Sequence, residues 1–297
     1  MSEQPPEEKR SVFWTIVLYV GAMVLVPCVL FISLDYVLAV VYALIMLNVL
    51  LVGILYIGLQ RHEKMKDKDK NATTFSRKMF NIIAGLLFAF FTGIFILMGD
   101  LIYSLNWIWM GFFILLAVDF AFGIHEFIYA VLKKKTYFTD AFIALGRQSE
   151  KFKPYLASIM ALFAFTIILG FHTLLFFSLP YVVVIVYVAT ICIWGIGDTA
   201  AYFAGTRWGK HKLPWNKIKS WEGLIANFII GLTIGLIVFS PILFPLISTV
   251  WWILLAVIGG LSGAFFESVD LRLDDNFVTP VCTGLILGLL VYIEVIL

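Results

Sequence analysis

Ser178-Leu-Pro-Tyr-Val-Val-Val-Ile-Val-Tyr-Val-Ala-Thr-Ile-Cys-Ile-Trp-Gly-Ile-Gly197 runs without a charged residue and then meets Asp198. A helix rises about 1.5 Å per residue, so a run of this length matches the roughly 30 Å hydrocarbon core of a bilayer. Lipid offers backbone N–H and C=O groups no partner, and a helix satisfies them within the segment. The stretch therefore reads as a transmembrane helix, and its pattern recurs along the chain. Apolar blocks at 13–33, 36–59, 79–98, 106–132, 155–176, 178–197, 222–244, 248–267 and 277–297 predict nine helices. Hydrophobic residues make up 62% of the 297 and charged residues 13%, about half the charge of a soluble domain. Mean hydropathy is +1.00. The expected fold is all-α and polytopic: a polar tail over 1–12, then one helical membrane domain over 13–297. The first block lacks a small-residue cleavage site and reads as a retained helix, not a signal peptide. Cys28, Cys192 and Cys282 fall in predicted helices without metal-ligand spacing and read as buried thiols.

Charge distribution orients the chain. With the N-terminus inside, the segments 60–78, 133–154, 198–221 and 268–276 face the cytoplasm. These segments and the N-terminal tail contain all 21 Lys and Arg residues. The opposite loops carry only Asp35 and Asp100. Basic residues in short loops stay on the cytoplasmic side, which sets this topology. The run His62–Lys70 reads as a solvated topogenic loop near anionic headgroups. Basic residues confined to short loops between spans give no reason to expect a nucleic-acid partner.

Two of these loops carry more than topology requires. Segment 195–223 reads Gly-Ile-Gly-Asp198-Thr199-Ala-Ala-Tyr202-Phe-Ala-Gly205-Thr-Arg207-Trp-Gly209-Lys210-His211-Lys212-Leu-Pro-Trp-Asn216-Lys217-Ile-Lys219-Ser220-Trp-Glu222-Gly223. Asp198 falls at an expected membrane boundary, where an ionisable group is costly and marks a functional candidate. Arg207, Lys210, Lys212, Lys217 and Lys219 follow, interleaved with Gly, Pro, Asn and Ser. Guanidinium, ammonium and exposed backbone N–H groups suit a polyphosphate. Segment 267–280 supplies Glu267, Asp270, Asp274 and Asp275, then Asn276 and Pro280. Magnesium takes one or two carboxylates plus substrate phosphates and water, so a carboxylate cluster beside a phosphate-binding loop suits metal-assisted phosphoryl or nucleotidyl transfer. A bland reading also stands, with Asp274-Asp275-Asn276 as a turn before the last helix.

The long motif from Gly197-Asp198-Thr199 to Lys219-Ser220-x-Glu222-Gly223 resembles one shared by two groups of membrane enzymes. One group is the CTP-dependent lipid kinases: dolichol kinase, phytol kinase and the CTP-using diacylglycerol kinase. The other is phosphatidate cytidylyltransferase. The close distinguishes them. Glu267-Ser268 followed by Asp274-Asp275-Asn276-Phe-x-x-Pro280 is similar to the kinases, whereas the cytidylyltransferases' Pro-Gly-His-Gly-Gly and Asp-Arg-x-Asp elements are missing. Arg77-Lys78-x-x-Asn81 resembles the kinases' Arg-Lys-x-x-His element, with Asn81 in place of His.

The resemblance implies transfer of a phosphoryl group from CTP, with Mg²⁺, to the hydroxyl of a membrane lipid alcohol. It implies catalytic roles for Asp198, Asp274, Asp275 and Asn276, with Asp198, Asp274 and Asp275 on the metal. Nucleotide or substrate contacts are expected from Thr199, Arg207, Lys210, Lys212, Lys219, Ser220, Glu222, Arg77 and Lys78. A cytidylyltransferase forming a CDP-lipid is the nearer alternative. A transporter is the other, although the polar clusters lie at helix ends rather than mid-membrane. Asp119 and His125-Glu126 suit either a headgroup cavity or pairing within the bundle. Arg147 and Glu150 would face the site, His211 suits a phosphate contact, His62 reads as solvated, and His172 reads as structural. The acceptor and the oligomeric state are open at this point.

Overall fold

The computed structural model describes residues 104–135, 139, 142–143, 155–271 and 273–297. Its helices are α1 (Ser104–Ala130), α2 (Leu156–Leu175), α3 (Pro180–Trp208), α4 (Trp221–Val238), α5 (Thr249–Ser268) and α6 (Asp275–Ile296). Among the described residues, extended pairing is limited to one antiparallel bridge, Lys212 with Ser220. Helices α2 to α6 are each long and apolar enough to cross a membrane. The chain is a polytopic all-α membrane protein, and every predicted segment from 106 onward corresponds to one described helix. The tail 1–12, the segments 13–33, 36–59 and 79–98, and Arg77, Lys78, Arg147 and Glu150 lie outside the described residues.

Two boundaries differ from the sequence expectation. The segment predicted to end at Gly197 continues as α3 through Asp198 to Trp208. Thr199-Ala-Ala-Tyr-Phe-Ala204 contains no helix breaker, and the Thr199 hydroxyl donates back to the Gly195 carbonyl at 2.8 Å. The loop expected over 198–221 is therefore irregular only from Gly209 to Ser220. Conversely, the block predicted over 222–244 is helical only to Val238. Pro241 has no N–H to donate, its ring would clash with the preceding turn, and Ser240 before it is pushed from helical backbone.

The described residues fall into two compact units: one holds those within 110–162, the other those within 104–109 and 163–297. Within the first, Tyr155 is fully buried. Its ring packs 4.5 Å from Phe142 and stacks on His125 at 5.6 Å. Its backbone N–H donates to Glu126 Oε2 at 3.0 Å, and its hydroxyl meets Thr139 at 3.1 Å.

Within the second, α3 is the most buried span. Small residues let the other helices approach it and one another, as lipid-embedded packing favours. A Cβ at Gly223 of α4 would lie 2.9 Å from the Ala201 carbonyl of α3, and one at Gly197 would run into the Asn227 amide. Between α4 and α5, a Cβ at Gly231 would come within 2.8 Å of the Gly260 Cα. Helix α6 is tied to α2 by buried His172, whose Nε2–H donates to the Gly284 carbonyl at 2.9 Å. That bond bears out the structural reading of His172.

Candidate active site at one end of the second unit

The C-terminal end of α3 stops at Gly209, where a Cβ would collide with the Gly205 carbonyl one turn back and with Ser220 Oγ at 2.8 Å. The chain then folds into a short hairpin before α4. Trp221 N donates to the His211 carbonyl at 2.9 Å, and Leu213 N to the Lys219 carbonyl at 3.1 Å. Asn216 shapes the turn, its Oδ1 accepting from the N–H groups of Ile218 at 3.1 Å and Lys219 at 3.4 Å. The Lys212 ammonium donates to the Ile218 carbonyl at 3.0 Å and closes the turn from the other strand.

The Ser-x-Glu-Gly close has a local explanation. Ser220 is the N-cap of α4, with its hydroxyl accepting from Gly223 N at 3.2 Å. A cap of this kind satisfies one of the unpaired donors at a helix start. Glu222, in the first turn, accepts from the backbone N–H groups of Lys210 and His211, each at 3.2 Å, and from the His211 ring at 2.7 Å. Ser220 and Glu222 thus fasten both strands of the hairpin to α4. Glu222 also places a negative charge where the helix macrodipole favours one.

The hairpin lies against the end of α5. Trp215 Nε1 donates to Ser268 Oγ at 3.2 Å and Asn216 Nδ2 to the Ser268 carbonyl at 3.0 Å. Lys219 reaches between two carboxylates: its ammonium donates to Glu267 Oε1 at 2.7 Å and lies 3.9 Å from Asp275 Oδ2. It also donates to the Glu267 backbone carbonyl. Glu267 is 7% exposed, so the ammonium sits against a buried carboxylate. Asp274 caps α6, its Oδ1 accepting from Asn276 N at 2.9 Å, and Asp275 occupies the first turn.

Lys210, Lys212, Lys219, Ser220, Glu222, Asp274, Asp275 and Asn276 therefore gather at one end of this unit, on or beside two helix N-termini. Ser220 and Asp274 cap these two termini, and Glu222 and Asp275 place carboxylates in their first turns, where the helix dipole favours negative charge. Arg207 sits exposed on the last turn of α3, its guanidinium 5.6 Å from the Trp208 ring centre. Asp198 and Thr199 are placed differently. Gly197 lies against Asn227, about two turns into α4, so Asp198 lies roughly 10 Å below the hairpin and is buried in the span. Glu267, Ser268, Trp215 and Asn216 belong to the site although none carried a site assignment from sequence. On sequence, Glu267 reads as part of the carboxylate cluster and Glu267-Ser268 as part of the kinase-like close, without a partner for either side chain.

Among the described residues, no three His, Cys, Asp or Glu side chains are assembled to hold a metal. Glu267 and Asp275 nevertheless converge on one ammonium, and two carboxylates are what Mg²⁺ takes when phosphates and water complete its shell. This donor set fits the ion. Asp274 has one oxygen committed as a cap, and Asp198 does not join the pair.

Fold and site define a polytopic helical membrane protein with lysine and carboxylate side chains gathered at one end of the second unit. The chain is similar to the CTP-dependent diacylglycerol kinase 1 of Schizosaccharomyces pombe, with 34% identity over 99 residues. That match covers 31% of this chain and 45% of the relative, so it spans less than half of that protein. It supports the resemblance to CTP-dependent lipid kinases. No protein-family model matches the chain, and no solved structure does.

Proposed function

We propose that the chain transfers the γ-phosphoryl group of CTP to the hydroxyl of a membrane lipid alcohol at the cytoplasmic face. Diacylglycerol is the leading acceptor, with dolichol or another isoprenoid alcohol as the alternatives. The observation that carries the reading is Lys219 held between Glu267 and Asp275 beside the N-termini of α4 and α6. A soluble nucleotide and an amphiphilic acceptor can meet only near the membrane surface, where these helix ends lie.

In this mechanism the acceptor oxygen attacks the γ-phosphorus, the bond to the β-phosphate oxygen breaks, CDP leaves, and the hydroxyl proton passes to solvent or a carboxylate. Such transfers depend mainly on positioning and charge neutralisation. Arg207 and Lys210 contact phosphates from the rim. Lys212 and Ser220 hold the hairpin and offer polar atoms to the nucleotide. Lys219 balances the carboxylates and approaches the transferred group. Bound Mg²⁺, held by Asp275 with Glu267, would neutralise phosphate charge. Asp274 and Asn276 set the start of α6, and Asp198 with Thr199 forms the polar floor below the hairpin. Arg77 and Lys78 contribute a further basic pair toward the phosphates or the headgroup.

Labelled CTP separates this reaction from nucleotidyl transfer. Membranes containing the chain are given CTP labelled at the γ or the α position, with diacylglycerol, dolichol, geranylgeraniol or phosphatidate. Label from the γ position is expected in a lipid alcohol. Label from the α position entering lipid with phosphatidate as acceptor would replace the kinase with a cytidylyltransferase.

A further inference from the structure

The hairpin between α3 and α4 presents apolar side chains to the outside. Ile218 is 86% exposed, and Trp215 and Trp221 are also exposed. The neighbouring loop before α6 adds exposed Leu271 and Leu273. Exposed Lys217 stands beside Ile218. A solvated loop gains nothing from such side chains, and apolar patches of this kind mark a binding surface.

The hydrogen bonds of the hairpin decide what that surface meets. The Trp215 and Asn216 bonds to Ser268 pin the tip to the last residue of α5. The hairpin therefore lies across helix ends instead of standing away from them. Its tip is held at the depth where spans leave the lipid and where Trp side chains and snorkelling Lys settle. Anionic headgroups complement Lys217 at this level, and each nearby cation adds to such attraction.

We infer that the tip Lys217-Ile218, with Trp215, is a docking element for anionic lipid headgroups of the surrounding bilayer. Lys219 lies two residues beyond Lys217 on the same strand and bonds Glu267, so seating of the tip is coupled to the placement of the site cation. The surface charge of the membrane thereby regulates the site. On the function proposed above, the lipid phosphate produced adds to that charge.

The test reads docking directly, without turnover. The Ile218 backbone, not its side chain, makes the bonds that shape the turn, so Ile218→Cys keeps the hairpin. The variant, with Cys28, Cys192 and Cys282 replaced by alanine, is labelled with an environment-sensitive fluorophore. It is then reconstituted in phosphatidylcholine vesicles, with or without phosphatidylserine. The expected result is a blue shift that deepens with phosphatidylserine, quenching by nitroxide-bearing lipids, and loss of the phosphatidylserine response in Lys217→Glu. Hydrogen exchange of the 209–220 peptide in the unsubstituted chain, slower with phosphatidylserine, provides the same reading if the cysteine-free chain does not fold. A label that stays in water with both lipids would overturn the inference. So would a shift that follows protein concentration without lipid quenching, which would assign the patch to a second copy. Docking intact, with no CTP-dependent phosphorylation of lipid by the unsubstituted chain, would count against the proposed function alone.

Discussion

Lys219 is held in a place that neither its charge nor its neighbours along the chain would dictate. Its ammonium serves a carboxylate 48 positions away, and that carboxylate is buried. Glu267→Gln keeps the shape but removes the charge that orients Lys219. Turnover of CTP is expected to fall by about 10²-fold or more, since oriented charge at the reacting centre is the main resource of such a site. The melting temperature should stay close to that of the parent. Lys219→Met should lose both turnover and stability, because it leaves the Glu267 carboxylate without its cation. Breaking a fully buried pair costs about 3–5 kcal/mol, and the 30% side-chain exposure of Lys219 keeps the loss below that. Chelation with EDTA is expected to abolish turnover, and Asp275→Asn to raise the Mg²⁺ concentration needed for half-maximal rate. Thr233→Val is the control: Thr233 lies on α4, and its hydroxyl only donates back to Ile229. Normal turnover in a folded Glu267→Gln chain would remove this pair from the site.

The helices pack through contacts that leave no space for a methyl group, and this makes their stability locally predictable. A Cβ at Gly260 would lie 2.7 Å from Leu232 N and 2.9 Å from the Phe228 carbonyl, which are backbone atoms unable to rotate away. Gly260→Ala should therefore push α4 from α5 and lower stability by about 1–3 kcal/mol, measured by thermal unfolding in detergent. Gly123→Ala on α1 meets nothing within 4 Å and should be neutral or slightly stabilising, because alanine favours helix by about 0.5–1 kcal/mol. The contrast also shows what the sequence could reveal. Apolar block length showed that spans exist, since the bilayer sets that length. It misplaced the end of α3, because hydropathy changes at Asp198 whereas helical backbone continues until Gly209. It overran α4, because Phe239-Ser240-Pro241 is apolar enough for a span yet cannot continue the hydrogen bonding. The motif marked Ser220 and Glu222 for nucleotide contact, whereas the bonds they make are local, a cap and a hairpin tie at the start of α4. The Lys219–Glu267 pair was not legible, because only the packing of α4 against α5 brings it together.

For the whole molecule, the proposal depends on which side of the membrane the hairpin faces. Successive spans α3 to α6 place the 209–220 and 269–274 loops on one side and the turn around 239–248 on the other. The hairpin and the last turn of α3 hold Arg207, Lys210, Lys212, Lys217 and Lys219, whereas 239–248 contains no Lys or Arg. Basic residues near span ends are retained inside, so the asymmetry favours a cytoplasmic hairpin. CTP is a cytoplasmic metabolite too highly charged to cross lipid, so the proposed reaction requires that orientation as well. Single cysteines can test it: Lys217→Cys on the hairpin and Ile242→Cys on the opposite turn, where Ile242 is 90% exposed. A membrane-impermeant maleimide added to intact cells is expected to label Ile242→Cys. It should reach Lys217→Cys only after permeabilisation. The reverse pattern would place the basic hairpin where no CTP is available. A kinase reading could not survive that result, however well Lys219, Glu267 and Asp275 are arranged.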